Sequence, residues 1–153
     1  MRIAIINGPN LNLTGKRTPE IYGRTSMEQV MLGLQRQWQD IRFRYFQSNH
    51  EGALIDELQA LALSEEPWDG IILNGGGYSH TSVALRDAVE FAAEQGIPVV
   101  EVHLSDIRSR EPFRQTSLLT GVCTHTIIGE GTDGYRQAVA WILLQHSEKE
   151  KQQ

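Results

Sequence analysis

Three short apolar runs in this chain each end abruptly in a cluster of polar residues. The runs Ile3–Ile6, Ile71–Leu73 and Val99–Val102 lead into N-G-P-N, N-G-G-G-Y-S-H and H-L-S-D. Short apolar runs bounded by glycine or proline are typical of buried strands. Because the ligand site of an open parallel sheet lies outside the carboxyl ends of its strands, we expect these amide, imidazole and hydroxyl groups to converge. The pattern favours an enzyme.

Strand and helix signals alternate five times, which predicts an α/β fold. Five βα units fit most simply a flavodoxin-like doubly wound fold, with a five-stranded parallel sheet in the order 2-1-3-4-5 and helices on both faces. In that order the first, third and fourth strands are neighbours, and these are the strands that end in polar clusters. Residues 1–146 are predicted to form a single catalytic domain and residues 147–153 a charged, frayed tail.

Local signals place the boundaries of individual elements. A capping box that begins at Thr25 is predicted to start the first helix, and the last helix is predicted over Tyr135–His146. The alternation of Arg42 and Arg44 with apolar residues predicts an edge strand with one exposed face. The segment from Gly8 to Arg24 shows no regular pattern, and a loop of that length in a compact domain is typically a functional lid.

Composition and charge exclude several classes of function. The chain has 153 residues and a formal net charge of −5, so it lacks the basic face that nucleic-acid binding needs. No apolar run approaches the roughly 18 residues of a membrane span, and Met1 leads directly into a strand rather than a signal peptide. The single cysteine, Cys123, excludes an internal disulfide and indicates the cytoplasm. A small buried residue is a more natural interpretation of Cys123 than a catalytic thiol.

A few side chains near the predicted strand ends are candidates for catalysis or ligand binding. Arg17 and Tyr22 lie in the long loop, and a guanidinium beside a phenol favours the phenolate, which is a competent base. The structural alternative is that Tyr22 caps the sheet and Arg17 is solvated. His103 and Ser105 are two residues apart at a strand end and point to the same face. His80 precedes a helix, whose N-terminus favours an anion.

Other motifs lack the sequence context that their usual function requires. The sequence G-E-G-T-D-G at 129–134 matches the dinucleotide-binding pattern, but it follows the last strand, so its glycines are expected to shape a tight strand-to-helix turn. The five histidines show no metal-ligand spacing, which argues against a zinc site. Schiff-base chemistry needs a desolvated lysine, and only Lys16 lies outside the predicted tail.

Six segments together resemble the type II 3-dehydroquinate dehydratases. They are I-N-G-P-N-L-N-L (6–13), R-T-P-E-I-Y-G (17–23), Q-S-N-H-E-G (47–52), I-L-N-G-G-G-Y-S-H-T-S-V-A-L-R-D-A (72–88), E-V-H-L-S (101–105) and R-E-P-F-R (110–114). The resemblance covers nearly the whole chain, in order and at the family's spacing. It implies a flavodoxin-like fold, no cofactor, no metal, and a homo-dodecamer built from four trimers. The implied reaction is the dehydration of 3-dehydroquinate to 3-dehydroshikimate, in the shikimate pathway or in quinate catabolism.

The resemblance also implies the residues that carry the reaction. Tyr22 resembles the family's base, which removes the C2 proton beside the C3 ketone. Arg17 is similar to the arginine that favours the phenolate and the negatively charged transition state. Asn10 is similar to the amide that helps hold the water stabilising the enolate. His103 resembles the acid that protonates the departing C1 hydroxyl. An enolate route needs such a base, an oxyanion stabiliser and an acid.

Substrate binding is implied for a second group of residues. Asn74, with the backbone N–H groups of Leu104 and Ser105, resembles the family's carboxylate clamp. The other positions that match substrate-binding residues of the family are His80, Arg110, Arg114 and Asp87. Of these, His80 and Arg114 resemble the groups that hold the ring hydroxyls, and Arg110 is a further arginine of the site. The resemblance implies that Asp87 reaches the site of a neighbouring protomer.

Several positions depart from the family's usual pattern. Thr18 stands where a glutamate is usual, next to Arg17, which puts the behaviour of the loop in question. The other departures are Gly75, Asp106, Arg108 and Glu130. Two other functions are alternatives: a flavin or nucleotide binder in electron transfer, and a catalytically idle paralogue used in assembly. The proline after Gly8 does not suit a phosphate-binding loop, and the intact Tyr22 and His103 argue against the second.

Overall fold

A computed structural model describes residues 1–152 of the chain. Five parallel strands form one sheet in the order β2-β1-β3-β4-β5, which confirms the predicted order. The strands are β1 (Arg2–Asn7), β2 (Arg42–Gln47), β3 (Gly70–Asn74), β4 (Val99–His103) and β5 (His125–Ile128). The helices are α1 (Pro19–Tyr22), α2 (Met27–Gln37), α3 (Glu51–Ala62), α4 (Val83–Glu94) and α5 (Asp133–Lys151).

Alternate residues of the central strands feed two separate cores, one on each face of the sheet. Ile3 and Ile5 of β1 pack against α2 and α5, through residues such as Leu34 and Val139. The intervening residues of β1 pack on the other face against α3 and α4. Strands buried on both faces read as continuous apolar runs, which is the pattern seen in the sequence. Helices on both faces are therefore confirmed.

The strand register brings the polar strand ends together. Asn7 of β1 pairs with Asn74 of β3, so the two amides stand side by side at the same edge of the sheet. β4 lies next to β3 and ends at His103. β2 is an edge strand, as predicted, and Arg42 and Arg44 are exposed on it. The fold thus places the polar carboxyl ends of β1, β3 and β4 at one edge of the sheet, under the long first loop.

The structure corrects three local predictions. Helix α2 is capped by Ser26, whose hydroxyl accepts a hydrogen bond from the Gln29 backbone N–H. The Gln29 side-chain oxygen accepts in return from the Ser26 backbone N–H, so the capping box begins one residue after Thr25. The segment from Gly8 to Arg24 is not without structure: it contains a 3-10 turn and the short helix α1, which Pro19 starts.

The third correction concerns the chain end. Helix α5 continues to Lys151 instead of ending at His146, so the frayed tail predicted from residue 147 is wrong for residues 147–151. The apolar stripe used for the prediction stops earlier, but glutamate and lysine favour a helix without it, and His146 contacts Glu150 one turn on. Gln153 lies outside the described residues. Within residues 1–152 no helix combines the length and the apolar character that crossing a membrane requires.

Candidate active site

A cavity of about 180 Å³ lies at the carboxyl ends of β1, β3 and β4, beneath the first loop. Ten of the eleven predicted site residues line it: Asn10, Arg17, Tyr22, Asn74, His80, His103, Leu104, Ser105, Arg110 and Arg114. The eleventh, Asp87, is exposed on α4 and lies outside this cavity. Leu11 and Ile107 add an apolar wall that gave no sequence signal of its own. The predicted convergence of strand ends is therefore confirmed.

His103 is held by a buried carboxylate that the sequence analysis did not assign to the site. His103 Nε2 lies 2.6 Å from Glu101 Oε1, and both residues are on the same side of β4. Glu101 is fully buried and also accepts hydrogen bonds from the hydroxyls of Ser117, Thr120 (2.7 Å) and Thr126 (3.2 Å). An acidic residue inside a buried strand, two positions before a histidine, was the available signal.

The surroundings of Glu101 keep it ionised. Burial alone raises the pKa of the Glu101 carboxyl, because a charge is costly away from water. The hydrogen bond and charge of His103, with the hydroxyls of Ser117 and Thr120, outweigh that effect, so the pKa lies below its ordinary value of 4.5. The carboxylate therefore fixes the imidazole ring in place and leaves its other nitrogen for the cavity that His103 lines.

A second imidazole stands beside the first. The ring centroids of His80 and His103 are 6.2 Å apart. His80 Nδ1 lies 2.8 Å from the carbonyl oxygen of Thr116, and a carbonyl can only accept, so the proton is on Nδ1. This arrangement leaves Nε2 of His80 as the nitrogen available to a ligand.

Tyr22 is contacted by two arginines. Arg110 Nη1 donates to the Tyr22 hydroxyl at 2.7 Å, and it also lies 3.4 Å from Ser105 Oγ. The guanidinium carbon of Arg17 is 5.2 Å from the centroid of the Tyr22 ring. Arg17 is thus beside Tyr22, as predicted, but the direct hydrogen bond to the hydroxyl comes from Arg110. The partner of the phenol was missed because Arg110 is 88 positions away in sequence.

The lining of the cavity favours an anionic ligand. Arg17, Arg110 and Arg114 line it, and its lining contains no aspartate or glutamate. Two of these arginines pair with Glu111, which is half exposed and lies 3.0 Å from Arg114 Nε and 3.8 Å from Arg110 Nε. No acceptor within residues 1–152 pairs with the backbone N–H groups of Leu104 and Ser105, so these donors are free for a ligand. The described residues contain no group of three or more His, Cys, Asp or Glu side chains that could hold a metal ion.

The loops around the cavity depend on unusual backbone geometry. Asn10 (φ 67°) and Thr18 (φ 39°) adopt left-handed conformations, which are uncommon for residues other than glycine. The backbone N–H of Asn10 donates to Asn49 Oδ1 at 2.9 Å, which ties the first loop to the loop after β2. The glycines at 129 and 131 also have positive φ and lead from β5 into α5, as expected of a tight turn.

Comparison with known proteins identifies the family. The model of the family "Dehydroquinase class II" matches residues 1–143. A 3-dehydroquinate dehydratase of Dinoroseobacter shibae is 50% identical, over 91% of this chain and 90% of the relative. Catabolic 3-dehydroquinase 1 of Aspergillus terreus is 42% identical, over 97% and 95%. The crystal structure of type II dehydroquinase from Butyrivibrio crossotus superimposes with a TM-score of 0.86 at 39% identity, over 93% and 97%. The chain belongs to the class II dehydroquinase family.

Proposed function

We propose that this protein is a hydro-lyase that converts 3-dehydroquinate into 3-dehydroshikimate, in the shikimate pathway or in quinate catabolism. The observation that carries the proposal is the cavity, where the Tyr22 phenol and the His103 imidazole stand among three arginines. The substrate is a carboxylate, which suits a lining without acids. The names of the relatives from Dinoroseobacter shibae and Aspergillus terreus support the same reaction.

The reaction needs a base and an acid that act on neighbouring carbons. Tyr22, as phenolate, takes the C2 proton, and the electron pair moves toward the C3 ketone to give an enolate. The cations of Arg17 and Arg110 lie close to this phenol. A water held by Asn10 stabilises the enolate oxygen. The electron pair then forms the C1–C2 double bond, and His103 protonates the C1 hydroxyl, which leaves as water.

The substrate is held by groups on the other sides of the cavity. Asn74 and the free N–H groups of Leu104 and Ser105 form the proposed carboxylate clamp. His80 Nε2 and Arg114 hold the ring hydroxyls. Hydrogen bonds to an anion are shorter and stronger than those between neutral groups, so this clamp sets the orientation of the ring relative to the base and the acid.

The direct test is to add 3-dehydroquinate to the purified protein and follow the ultraviolet absorbance of the conjugated enone product. We expect the initial rate of the absorbance rise to be proportional to the amount of protein, without an added cofactor or metal. No rise with the intact protein, under conditions where a known dehydratase works, would contradict the proposal.

We further propose that the predicted domain of residues 1–146, together with the rest of α5, acts as one catalytic domain in a homo-dodecamer of four trimers, and that Asp87 completes a neighbouring site. Its exposure on α4, outside its own protomer's cavity, supports this role. Mixing Asp87→Ala with Tyr22→Phe and allowing subunits to exchange is expected to restore activity above either parent. Exchange verified by native mass spectrometry, without recovery, would place Asp87 outside the shared site.

A cytoplasmic location is the last part of the proposal. It is supported by the single cysteine, which cannot form an internal disulfide and fits a reducing compartment. The single cysteine, Cys123, is partly buried against the core on the α3–α4 face. Burial, and then the negative charge of Glu101, raise the pKa of the Cys123 thiol. The thiol therefore stays protonated and is suited to a packing role rather than to nucleophilic chemistry. Fractionation of the native host, with the protein recovered outside the cytoplasm, would contradict this location.

A further inference from the structure

A chain of hydrogen bonds reaches the site from behind, through side chains that do not line the cavity. The Tyr135 hydroxyl, on α5, donates to Asn7 Oδ1 at 2.7 Å and accepts from Asn74 Nδ2 at 3.4 Å. Asn7 Nδ2 donates in turn to the Tyr45 hydroxyl at 3.4 Å. Tyr135 and Asn7 are fully buried, and Asn74 is 4% exposed. The chain links the cavity wall to the outer strand β2.

The backbone N–H of Gly76 fixes the direction of these bonds. It lies 3.1 Å from the Asn74 side chain, and because an N–H can only donate, the amide atom that faces it is Oδ1. The Nδ2 end then faces Tyr135 and donates to its hydroxyl. A phenol has one proton to give, and burial raises the pKa of Tyr135, so the hydroxyl keeps that proton and donates it to Asn7. Only one assignment satisfies every group.

The two bonds hold both ends of the Asn74 amide. Gly76 holds the oxygen and Tyr135 holds the nitrogen, so one Nδ2 proton is committed and the second remains for a ligand in the cavity. A rotated amide would turn Nδ2 toward the Gly76 N–H and leave two donors facing each other in a partly buried position, which is costly. Without the Tyr135 hydroxyl, the nitrogen end of the amide is free to swing.

We propose that Tyr135 is a positioning residue that aims the Asn74 amide at the carboxylate of the substrate. Tyr135 acts from α5, on the far side of Asn74, and does not touch the substrate itself. The ring of Tyr135 packs in the α2–α5 core, but its hydroxyl serves the site. This inference rests on the proposed function, because it needs an anionic substrate in the cavity.

The test is Tyr135→Phe, which retains the ring and removes only the hydroxyl. We expect KM for 3-dehydroquinate to rise roughly tenfold, about 1.4 kcal/mol, since one aimed donor is lost. The change in kcat should be smaller, and the pH dependence of kcat should stay in place, because the base and the acid are untouched. Tyr45→Phe is the matched control. It removes the hydroxyl at the β2 end of the hydrogen-bond series, and its KM should remain within about twofold of the wild type.

A double-mutant cycle separates action through Asn74 from a general structural effect. If Tyr135 works through the amide, Tyr135→Phe added to Asn74→Ala leaves KM at the value of Asn74→Ala alone. If the two changes multiply, the hydroxyl acts elsewhere and the inference is wrong. Dichroism and thermal melts establish that each variant is folded before kinetics are compared.

A second variant covers the case in which Tyr135→Phe does not fold. Asn7→Ala removes the acceptor of the Tyr135 proton and lets the hydroxyl turn toward Asn74, so KM should rise although the hydroxyl remains. An unchanged KM in a folded Tyr135→Phe or Asn7→Ala variant would overturn the inference while leaving the wild-type activity intact. An inactive wild-type protein would instead overturn the proposed function, so the two failures are distinguishable.

Discussion

Glu101→Gln is the change that most directly tests how the acid of the site is built. The carboxylate accepts hydrogen bonds from four groups: His103 and the hydroxyls of Ser117, Thr120 and Thr126. A glutamine of the same shape offers one acceptor oxygen and turns an NH₂ group toward the remaining donors. The hydroxyls of Thr120 and Thr126, which face Oε2, can rotate and accept from this NH₂, so the oxygen stays toward His103 and Ser117 and these two bonds lose the negative charge of their acceptor.

The magnitude follows from these contacts. A hydrogen bond to a charged group contributes about 1.5–3 kcal/mol and a neutral one about 0.5–1.5 kcal/mol, so converting two charged bonds into neutral ones lowers the free energy of unfolding by about 3 kcal/mol. For a chain of this size, each kcal/mol lowers Tm by about 2–4 °C, which predicts a decrease of about 6–12 °C near pH 7. Turnover should fall as well, because the ring of His103 loses its charged partner.

The pH dependence has a definite sign. The pKa of Glu101 in the folded protein lies below its ordinary value of 4.5, so the unfolded chain binds the proton first on acidification. The stability that the carboxylate provides is therefore fully present above that value and is lost as the pH falls through the folded-state pKa. The difference in Tm between wild type and Glu101→Gln should narrow in this acidic range.

Thermal melts over a pH series measure both quantities, with Glu90→Gln as the control, because Glu90 is exposed on α4. The control should stay within about 1 °C of the wild type, as surface substitutions usually do. A Tm loss below about 2 °C for Glu101→Gln near neutral pH, or a gap that does not narrow on acidification, would refute this account of the carboxylate.

Three further changes test the site and the fold. Tyr22→Phe should leave folding and substrate binding nearly intact and lower kcat by more than about tenfold, or 1.4 kcal/mol of barrier, measured by steady-state kinetics; a smaller loss means that Tyr22 is not the base. His103→Ala should lower mainly kcat, while Arg114→Ala should raise mainly KM, and the reverse pattern would exchange their roles. In urea melts, Arg44→Ala should cost about 3 kcal/mol because it leaves buried Glu57 without its partner, whereas Glu57→Gln should cost less, since the half-exposed Arg44 regains water. Equal costs would contradict this explanation.

Patterns local in sequence predicted the sheet and most of the site. Buried strands are recognisable as apolar runs, and the polar ends of parallel strands meet at one edge of the sheet. Strand order and the family resemblance therefore predicted ten of the residues that line the cavity. Partners distant along the chain did not follow. Tyr135 meets Asn7 across 128 positions, and Arg110 meets Tyr22 across 88, and no periodicity reports such contacts. The role of the Tyr135 hydroxyl was not predicted because a tyrosine next to the apolar stripe of α5 is expected to be a core residue.

The predicted start of α2 was wrong because two neighbouring residues have the same capping chemistry. Thr25 and Ser26 are both good N-caps, and only the backbone geometry of Ser26 selects it. The end of α5 was misplaced because burial was the only signal used, whereas the last turns are stabilised by local propensity and side-chain pairs.

The left-handed backbone of Thr18 has a consequence for the stability of the first loop. A β-branched residue in this region stores about 1–3 kcal/mol, and Thr18 lies in the segment that carries both Arg17 and Tyr22. That energy is comparable to one hydrogen bond to a charged group, so the bond from Arg110 to Tyr22 is of the right size to offset it. The position of the loop over the cavity therefore depends on contacts made from outside the loop, of which the Arg110 bond is one.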